Sequence, residues 1–215
     1  PSRPRPAARR HYGRFFAMTQ KTLVIDLDRC TGCMACEIAC KQENGVPLGV
    51  YLNKVHTIGP MGTFPDIKQY FLPHVCQVCK DAPCVKVCPT KATYRTEDGQ
   101  ILVDKEKCIG CRACIAACPY GARAYNPETK VVEKCTLCNH LQAAGEKPAC
   151  VKVCCAHARY FGDIDDPESD VSKAIAAAGP ENVHSMPDSG NKPTVRYILH
   201  KKNGDWLENP PKMLP

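Results

Sequence analysis

Two short apolar runs in this chain are copies of each other. Val24-Ile25-Asp26-Leu27-Asp28-Arg29 leads into Cys30, and Leu102-Val103-Asp104-Lys105-Glu106-Lys107 leads into Cys108. Each run begins with apolar residues and ends in acidic and basic residues, which predicts a short strand followed by a loop. Alanine-rich segments follow at 35–39 and 113–117 and predict short helices. The chain is therefore predicted to repeat a strand–loop–helix unit.

Turn residues predict two hairpins. Segments 90–95 and 100–104 flank Glu97-Asp98-Gly99, which is typical of a tight turn between strands. Segments 120–125 and 130–133 flank Asn126-Pro127-Glu128 in the same way.

The remaining pattern predicts one helix, one strand and one long loop. Asp166 is expected to cap a helix with Pro167 in its first position and Gly179 just after its end. Residues 194–200 read as a late strand. Residues 44–73 carry Gly, Pro and aromatic residues, and are expected to form an interface loop or a structural wrap.

Sixteen of the seventeen cysteines fall into four groups of four, and every group closes with two cysteines separated by three residues. The first and third groups share the spacing Cys-x2-Cys-x2-Cys-x3-Cys, while the middle gap widens to four residues in the second group and to eleven in the fourth. The groups are Cys30, Cys33, Cys36 and Cys40 (first); Cys76, Cys79, Cys84 and Cys88 (second); Cys108, Cys111, Cys114 and Cys118 (third); and Cys135, Cys138, Cys150 and Cys154 (fourth).

This spacing is typical of iron–sulfur ligands. A tight loop can wrap three thiolates around one 4Fe–4S cluster with backbone amides facing the sulfurs, and the last cysteine of such a run, often followed by proline, ligates the neighbouring cluster. Cys88-Pro89 and Cys118-Pro119 keep that signature. Four 4Fe–4S clusters are the count that the sequence predicts.

Two other uses of cysteine compete with this interpretation. Disulfides suit secreted chains, but closely spaced cysteines make poor cross-links and seventeen is an odd number. Zinc is the stronger alternative, because paired Cys-x2-Cys units are ordinary zinc ligands. Zinc sites do not require the third cysteine two residues further on, nor the closing Cys-x3-Cys-Pro.

Charge and length limit the function classes. The formal net charge of +7 includes Arg3, Arg5, Arg9, Arg10 and Arg14, which precede any acidic residue, so the body of the chain is near neutral and a nucleic-acid partner is not expected. Residues 1–17 are predicted to be a disordered basic extension, without the apolar segment that an export signal needs after paired arginines. No apolar run reaches 18 residues, so no membrane span is expected.

The motifs together resemble the four-cluster electron-transfer (B) subunits of molybdopterin oxidoreductases, such as polysulfide, thiosulfate, tetrathionate and dimethyl-sulfoxide reductases. The resemblance extends from about residue 22 to residue 178. Besides the cysteine order, it rests on Gly110-Cys111, Cys118-Pro119-Tyr120-Gly121-Ala122-Arg123, Lys134-Cys135-Thr136-Leu137-Cys138, Phe161-Gly162-Asp163 and Asp166-Pro167-Glu168-Ser169.

The resemblance implies an α+β, loop-rich fold of two ferredoxin-like units built around the four clusters. One unit would comprise residues 18–75 with 130–178 and the first and fourth groups; the other would comprise 76–129 with the second and third groups, leaving 179–215 as a C-terminal extension. The implied crossed ligand sets are Cys30, Cys33, Cys36 and Cys154; Cys135, Cys138, Cys150 and Cys40; Cys76, Cys79, Cys84 and Cys118; and Cys108, Cys111, Cys114 and Cys88.

The chain departs from the family pattern at the ends of two groups. Cys155 occupies the position where relatives carry proline after the fourth group, and it is expected to be a buried residue that ligates no cluster, with alternate ligation as the other interpretation. Cys40-Lys41 also lacks the proline, so that half is expected to be built differently. Some relatives replace a third-group cysteine by tryptophan and hold a 3Fe–4S cluster; Cys111 argues for four 4Fe–4S clusters here.

The resemblance also implies the function. The chain would be a non-catalytic subunit that passes single electrons between a molybdopterin catalytic subunit, carrying molybdenum or tungsten, and a membrane quinone-linked subunit. The complex would be peripheral and membrane-associated, on the extracytoplasmic face, with the cytoplasmic face as the alternative. A free-standing polyferredoxin and an accessory subunit of a formate dehydrogenase or hydrogenase are the competing functions.

Overall fold

The computed structural model describes residues 19–207. The predicted extension at 1–17 therefore lies outside the described residues, as does the part of the C-terminal extension beyond residue 207. The described helices are α1 Ala35–Asn44, α2 Pro83–Lys86, α3 Ala113–Ala116, α4 Asn139–Ala143, α5 Ala149–Lys152 and α6 Asp170–Ala178. The strands are β1 Lys21–Asp26, β2 Asn53–Met61, β3 Lys68–Val75, β4 Thr93–Arg95, β5 Ile101–Val103, β6 Arg123–Asn126, β7 Val131–Lys134, β8 Arg159–Asp163, β9 Val183–His184 and β10 Arg196–Ile198.

A four-stranded sheet in the order β8-β1-β10-β9 joins distant parts of the chain. The first predicted apolar strand, β1, lies between antiparallel β8 and parallel β10, with Ile25 opposite both Arg159 and Tyr197. Leu23, Val24 and Ile25 are completely buried because both faces of β1 are covered: Leu23 and Ile25 face the main core, and Val24 packs against Val171 of the later helix 170–178. The late strand predicted within 194–200 is confirmed as β10.

Helix α6 covers one face of this sheet, with Val171 packing against Val24 and Ile198. Its predicted end before Gly179 is confirmed, but its predicted start is wrong. The helix begins at Asp170, and the Ser169 hydroxyl caps it by accepting a hydrogen bond from the Ser172 amide at 3.2 Å. Asp166 accepts instead from the Glu168 amide at 2.9 Å, which stabilises a turn before the helix.

The two predicted hairpins are confirmed as β4–β5 and β6–β7. The segment 44–73, for which the sequence predicted a loop, instead contains most of a third antiparallel hairpin, β2–β3. Pro60 and Pro73 lie within these strands, and the register shifts between Ile58 and Met61. Proline at such positions is typical of irregular or edge strands and hides the strand pattern in the sequence.

The short helices pack in two pairs. Helix α1, which carries Cys36 and Cys40, packs against α5, which carries Cys150. Helix α2, with Cys84, packs against α3, with Cys114. The described chain is thus a small, mixed α/β and loop-rich fold in which the first group lies beside the fourth and the second beside the third. Within residues 19–207, no helix is both long and apolar enough to cross a bilayer.

Candidate iron–sulfur centres

The cysteine loops repeat one another in backbone conformation. Gly32 and Gly110, at matching places in the first and third groups, both have φ +67°, and the residues two positions later, Met34 and Arg112, have φ 60° and 62°. In the second and fourth groups, the residue before the second cysteine is also left-handed, as Val78 (φ 46°) and Leu137 (φ 55°). Left-handed backbone is unfavourable for residues with a side chain, so its recurrence indicates that the loops impose the same turn each time.

A second left-handed position follows the closing cysteine in three groups. Lys91, Gly121 and His157 stand three residues after Cys88, Cys118 and Cys154, with φ 55°, 60° and 48°. The first group differs, because α1 continues past Cys40 to Asn44 and ends at Gly45. Lys41 takes the place of a helix-terminating proline there. The expected difference in this half is therefore seen at the end of the first group, while the fourth group ends like the second and third.

Gly110 is the glycine whose substitution should disturb a ligand loop most clearly. A Cβ atom at Gly110 would lie 2.3 Å from the Lys130 carbonyl oxygen, in addition to the strain at φ +67°. We expect Gly110→Ala to lower the free energy of unfolding by about 1–3 kcal/mol more than the strain alone would, because the Lys130 backbone must move. Gly145→Ala is the matched control. Gly145 has φ +77°, and a Cβ atom there would have no atom of the described residues within 4 Å, so only strain of about 1–2 kcal/mol applies.

Anaerobic chemical denaturation would compare the two variants. Equal losses of stability would contradict the close approach at Gly110.

The thiols of the first and fourth groups converge. Cys30, Cys33, Cys36 and Cys154 line one small cavity, which also contacts Val55 and the buried side chain of Arg159. Three cysteines of the first group thus meet the closing cysteine of the fourth. Among the other predicted ligands, Cys111 is exposed, as Cys33 is. The rest are buried or half-buried: Cys40, Cys76, Cys79, Cys84, Cys88, Cys108, Cys114, Cys118, Cys135, Cys138 and Cys150.

Hydrogen-bond donors face several of these sulfurs. The backbone amides of Ala158 and Thr93 donate to Cys154 Sγ (3.3 Å) and Cys88 Sγ (3.4 Å). Asn191, a buried residue of the C-terminal segment, donates to Cys79 Sγ at 3.1 Å and to the Tyr120 hydroxyl at 2.7 Å. Donors of this kind stabilise negative charge on sulfur, as iron–sulfur ligation requires.

Known families match these cysteine regions. Residues 23–43 match a family described as a 4Fe–4S binding domain, and residues 67–164 match one described as a 4Fe–4S dicluster domain. Among similar proteins, the iron–sulfur B subunit of a putative dimethyl sulfoxide reductase from Halobacterium salinarum is 44% identical over 84% of this chain and 79% of its own length. The B subunit of sulfite dehydrogenase from Allochromatium vinosum is 44% identical, covering 86% of this chain and 85% of that protein. The B polypeptide of polysulfide reductase from Wolinella succinogenes is 42% identical, covering 85% and 95%.

This protein belongs to the family of iron–sulfur B subunits of molybdopterin-type reductases. Its cysteines accordingly bind 4Fe–4S clusters, and sixteen grouped cysteines fit four of them. The zinc and disulfide interpretations are set aside by this finding.

The ionisation of the subunit's thiols fits such clusters. Burial, and then the neighbouring cysteines Cys150 and Cys138, raise the pKa of Cys40 to about 12. Burial likewise raises the pKa of Cys79 to about 12, although the Asn191 side chain opposes the shift. Crowded, buried thiols do not ionise on their own, so thiolate ligation at these sites needs the positive charge of iron.

Two buried arginines of the subunit were not predicted as site residues, although Arg123 stands in one of the motifs that carry the resemblance. Arg159 Nη2 donates to Cys36 Sγ at 3.2 Å, and Arg123 Nη1 donates to Thr93 Oγ1 at 3.3 Å. The second terminal nitrogen of each guanidinium is buried without a hydrogen-bond partner among the described residues. Both arginines stand five residues after a closing cysteine, Cys154 or Cys118, so the repeat spacing was the signal that could have found them. Orphaned buried donors beside thiols fit a cluster that supplies sulfide acceptors.

Cys155 is exposed, so the expectation that it is buried is wrong. It follows Cys154 on the turn between α5 and β8, and its Sγ lies 4.0 Å from Cys33 Sγ. The Ala35 amide, followed by the hydrogen bond from Cys155, holds the pKa of the Cys33 thiol below its usual range. Cysteine is usually buried as a small apolar residue, but here the sharp turn at the end of the fourth group directs Cys155 to the surface.

Proposed function

We propose that this chain relays single electrons through four 4Fe–4S clusters between a molybdopterin catalytic subunit, carrying molybdenum or tungsten, and a membrane quinone-linked subunit. The names of its relatives support a partner, because each is the B component of a reductase or dehydrogenase. Four repeated cysteine loops on one small scaffold are the observation that carries the proposal. When bound, each cluster takes up or releases one electron, so the chain itself is a carrier and not a catalyst.

The proposed ligand sets cross between groups. Cys154 completes the site of Cys30, Cys33 and Cys36, as their common cavity supports, and Cys40 completes that of Cys135, Cys138 and Cys150. Contacts between α1 and α5 support this exchange. In the other half, Cys118 completes the site of Cys76, Cys79 and Cys84, and Cys88 completes that of Cys108, Cys111 and Cys114, in keeping with the packing of α2 on α3.

These exchanges divide the chain into two proposed ferredoxin-like units, 18–75 with 130–178 and 76–129, followed by the extension 179–215. The matching left-handed positions of the loops support the duplication. Part of the extension serves the units directly, because β10 pairs with β1 and Asn191 donates to Cys79. A freely diffusing carrier has little need of this added segment, so we favour a subunit in a fixed complex. We place that complex at the membrane, peripherally and on its extracytoplasmic face.

Purification from the native host tests the partner. A tag on this chain should recover a larger subunit that contains molybdenum or tungsten together with pterin, and a membrane subunit whose quinol reduces the clusters. Nickel in the recovered complex would indicate a hydrogenase instead, and recovery of the chain alone after gentle solubilisation would favour a free polyferredoxin. Either result would contradict the proposed function.

A further inference from the structure

Arg159 is a buried cation without an acidic partner. Its side chain lies at the start of β8, and the residue is 5% exposed. Nη2 donates to Cys36 Sγ at 3.2 Å and to Asn53 Oδ1 at 3.1 Å, while Nη1 is buried and without a partner among the described residues. Within residues 19–207, Arg159 forms no salt bridge with a carboxylate. A charge this deep requires compensation, and the nearby groups that become anionic when iron is bound are cysteine thiols.

The cysteines around Arg159 come from two different groups. Arg159 donates to Cys36 Sγ at 3.2 Å, and Cys36 and Cys150 lie in the same buried cluster. An arginine guanidinium stays charged even when it is buried. Cys36 belongs to the first group and Cys150 to the fourth. In the proposed ligand sets, these cysteines hold different clusters of the same unit, so Arg159 lies between the two.

Arg123 occupies the equivalent place in the other unit. It is 6% exposed, starts β6 as Arg159 starts β8, and leaves Nη2 buried without a partner among residues 19–207. Helix α3, which carries Cys114 of the third group, packs against β6 and against α2, which carries Cys84 of the second group. These cysteines again belong to two different proposed clusters.

We propose that Arg159 and Arg123 each act as a shared positive charge between the two clusters of one unit and raise the midpoint potentials of both. The inference rests on the crossed ligand sets of the proposed function. Reduction adds one negative charge to a cluster, and a fixed cation in a poorly solvated interior favours that added charge. Hydrogen bonds from the guanidinium to ligand sulfur act in the same direction. These are positioning residues: the charge is held for the clusters and takes no part in transferring the electron.

Because each arginine lies in a different unit, each variant serves as a control for the other. Arg159→Met and Arg123→Met remove the charge while keeping an unbranched apolar side chain of moderate length. Redox titration followed by EPR would measure all four midpoints in each variant of the complete chain, with clusters assigned by Cys33→Ser and Cys111→Ser, which each alter one cluster. Arg196→Met is the matched control, because Arg196 is half-buried but its side chain donates, among the described residues, only to the carbonyl oxygens of Pro193 and Val195.

We expect Arg159→Met to weaken reduction of the first- and fourth-group clusters by about tenfold or more, which is about 59 mV for one electron, and to leave the other two unchanged. Arg123→Met should do the reverse, and Arg196→Met should change none. Four retained clusters with unchanged midpoints, or shifts in the same clusters for both arginines, would overturn the inference.

Arg159→Gln keeps the test available if the methionine variant fails to assemble. Glutamine removes the charge but keeps an amide N–H donor, so a downward shift confined to the same two clusters is expected, whereas Arg159→Lys, which keeps the charge, should shift them less. Unchanged midpoints in Arg159→Gln would reject the inference. Fewer than four clusters in the unaltered chain would instead reject the proposed function, so the two failures are distinguishable.

Discussion

Protein purified without oxygen is expected to carry about sixteen iron and about sixteen acid-labile sulfide per chain, and to lose much of its structure when the iron is removed. The structure gives the reason. The largest apolar core counts Cys76, Cys79, Cys84, Cys114 and Cys135 among its buried members, alongside residues such as Leu23 and Tyr197. Without clusters, those thiols would leave poorly filled space and unsatisfied donors at Arg123 and Arg159.

Iron and sulfide analysis would test the content, and circular dichroism during anaerobic chelation would test the dependence of folding. A control sample dialysed without chelator should keep its melting temperature. Stoichiometric zinc with little iron, or an unchanged thermal transition after complete iron removal, would contradict the expectation.

The local elements were the most predictable part of the fold. Glu97-Asp98-Gly99 encodes its own turn, and β4–β5 forms where those residues predict it. The hairpin β2–β3 was missed because Pro60 and Pro73 interrupt its strand pattern. The start of α6 was misplaced because Asp166 and Ser169 both suit a cap, and the sequence alone does not say which hydrogen bond forms.

The surroundings of the thiols depend on long-range contacts and were less predictable. The cysteine groups follow from spacing, since each loop is local. Asn191 reaches Cys79 across more than a hundred residues, and Arg159 reaches Cys36 in the same way. No local pattern marks Asn191, whereas Arg159 is marked only by the repeated spacing of five residues after a closing cysteine. Cys155 was wrongly predicted to be buried, because its exposure depends on the turn after Cys154 and not on the residue type.

Cys154 and Cys155 differ sharply in their expected importance although they are neighbours. Cys154 lines the cavity of the first group, and its Sγ accepts a hydrogen bond from the Ala158 amide at 3.3 Å. We expect Cys154→Ala to remove one cluster, about four iron per chain, because the remaining thiolates cannot complete the site. Cys155→Ala should leave iron content and all four EPR signals unchanged.

Retention of the cluster in Cys154→Ala would be explained if Cys155 replaced Cys154 as the ligand. Cys155 Sγ lies 4.0 Å from Cys33 Sγ, so a small rotation of the turn could bring Cys155 to the cluster when Cys154 is absent. Cys118→Ala is the matched control, because Pro119 follows it and offers no substitute thiol. Loss of a cluster in Cys118→Ala but not in Cys154→Ala would reveal replacement by Cys155, and the double variant lacking both thiols should then lose the cluster. Loss in Cys155→Ala alone would mean that the fourth-group ligand is misassigned by one residue.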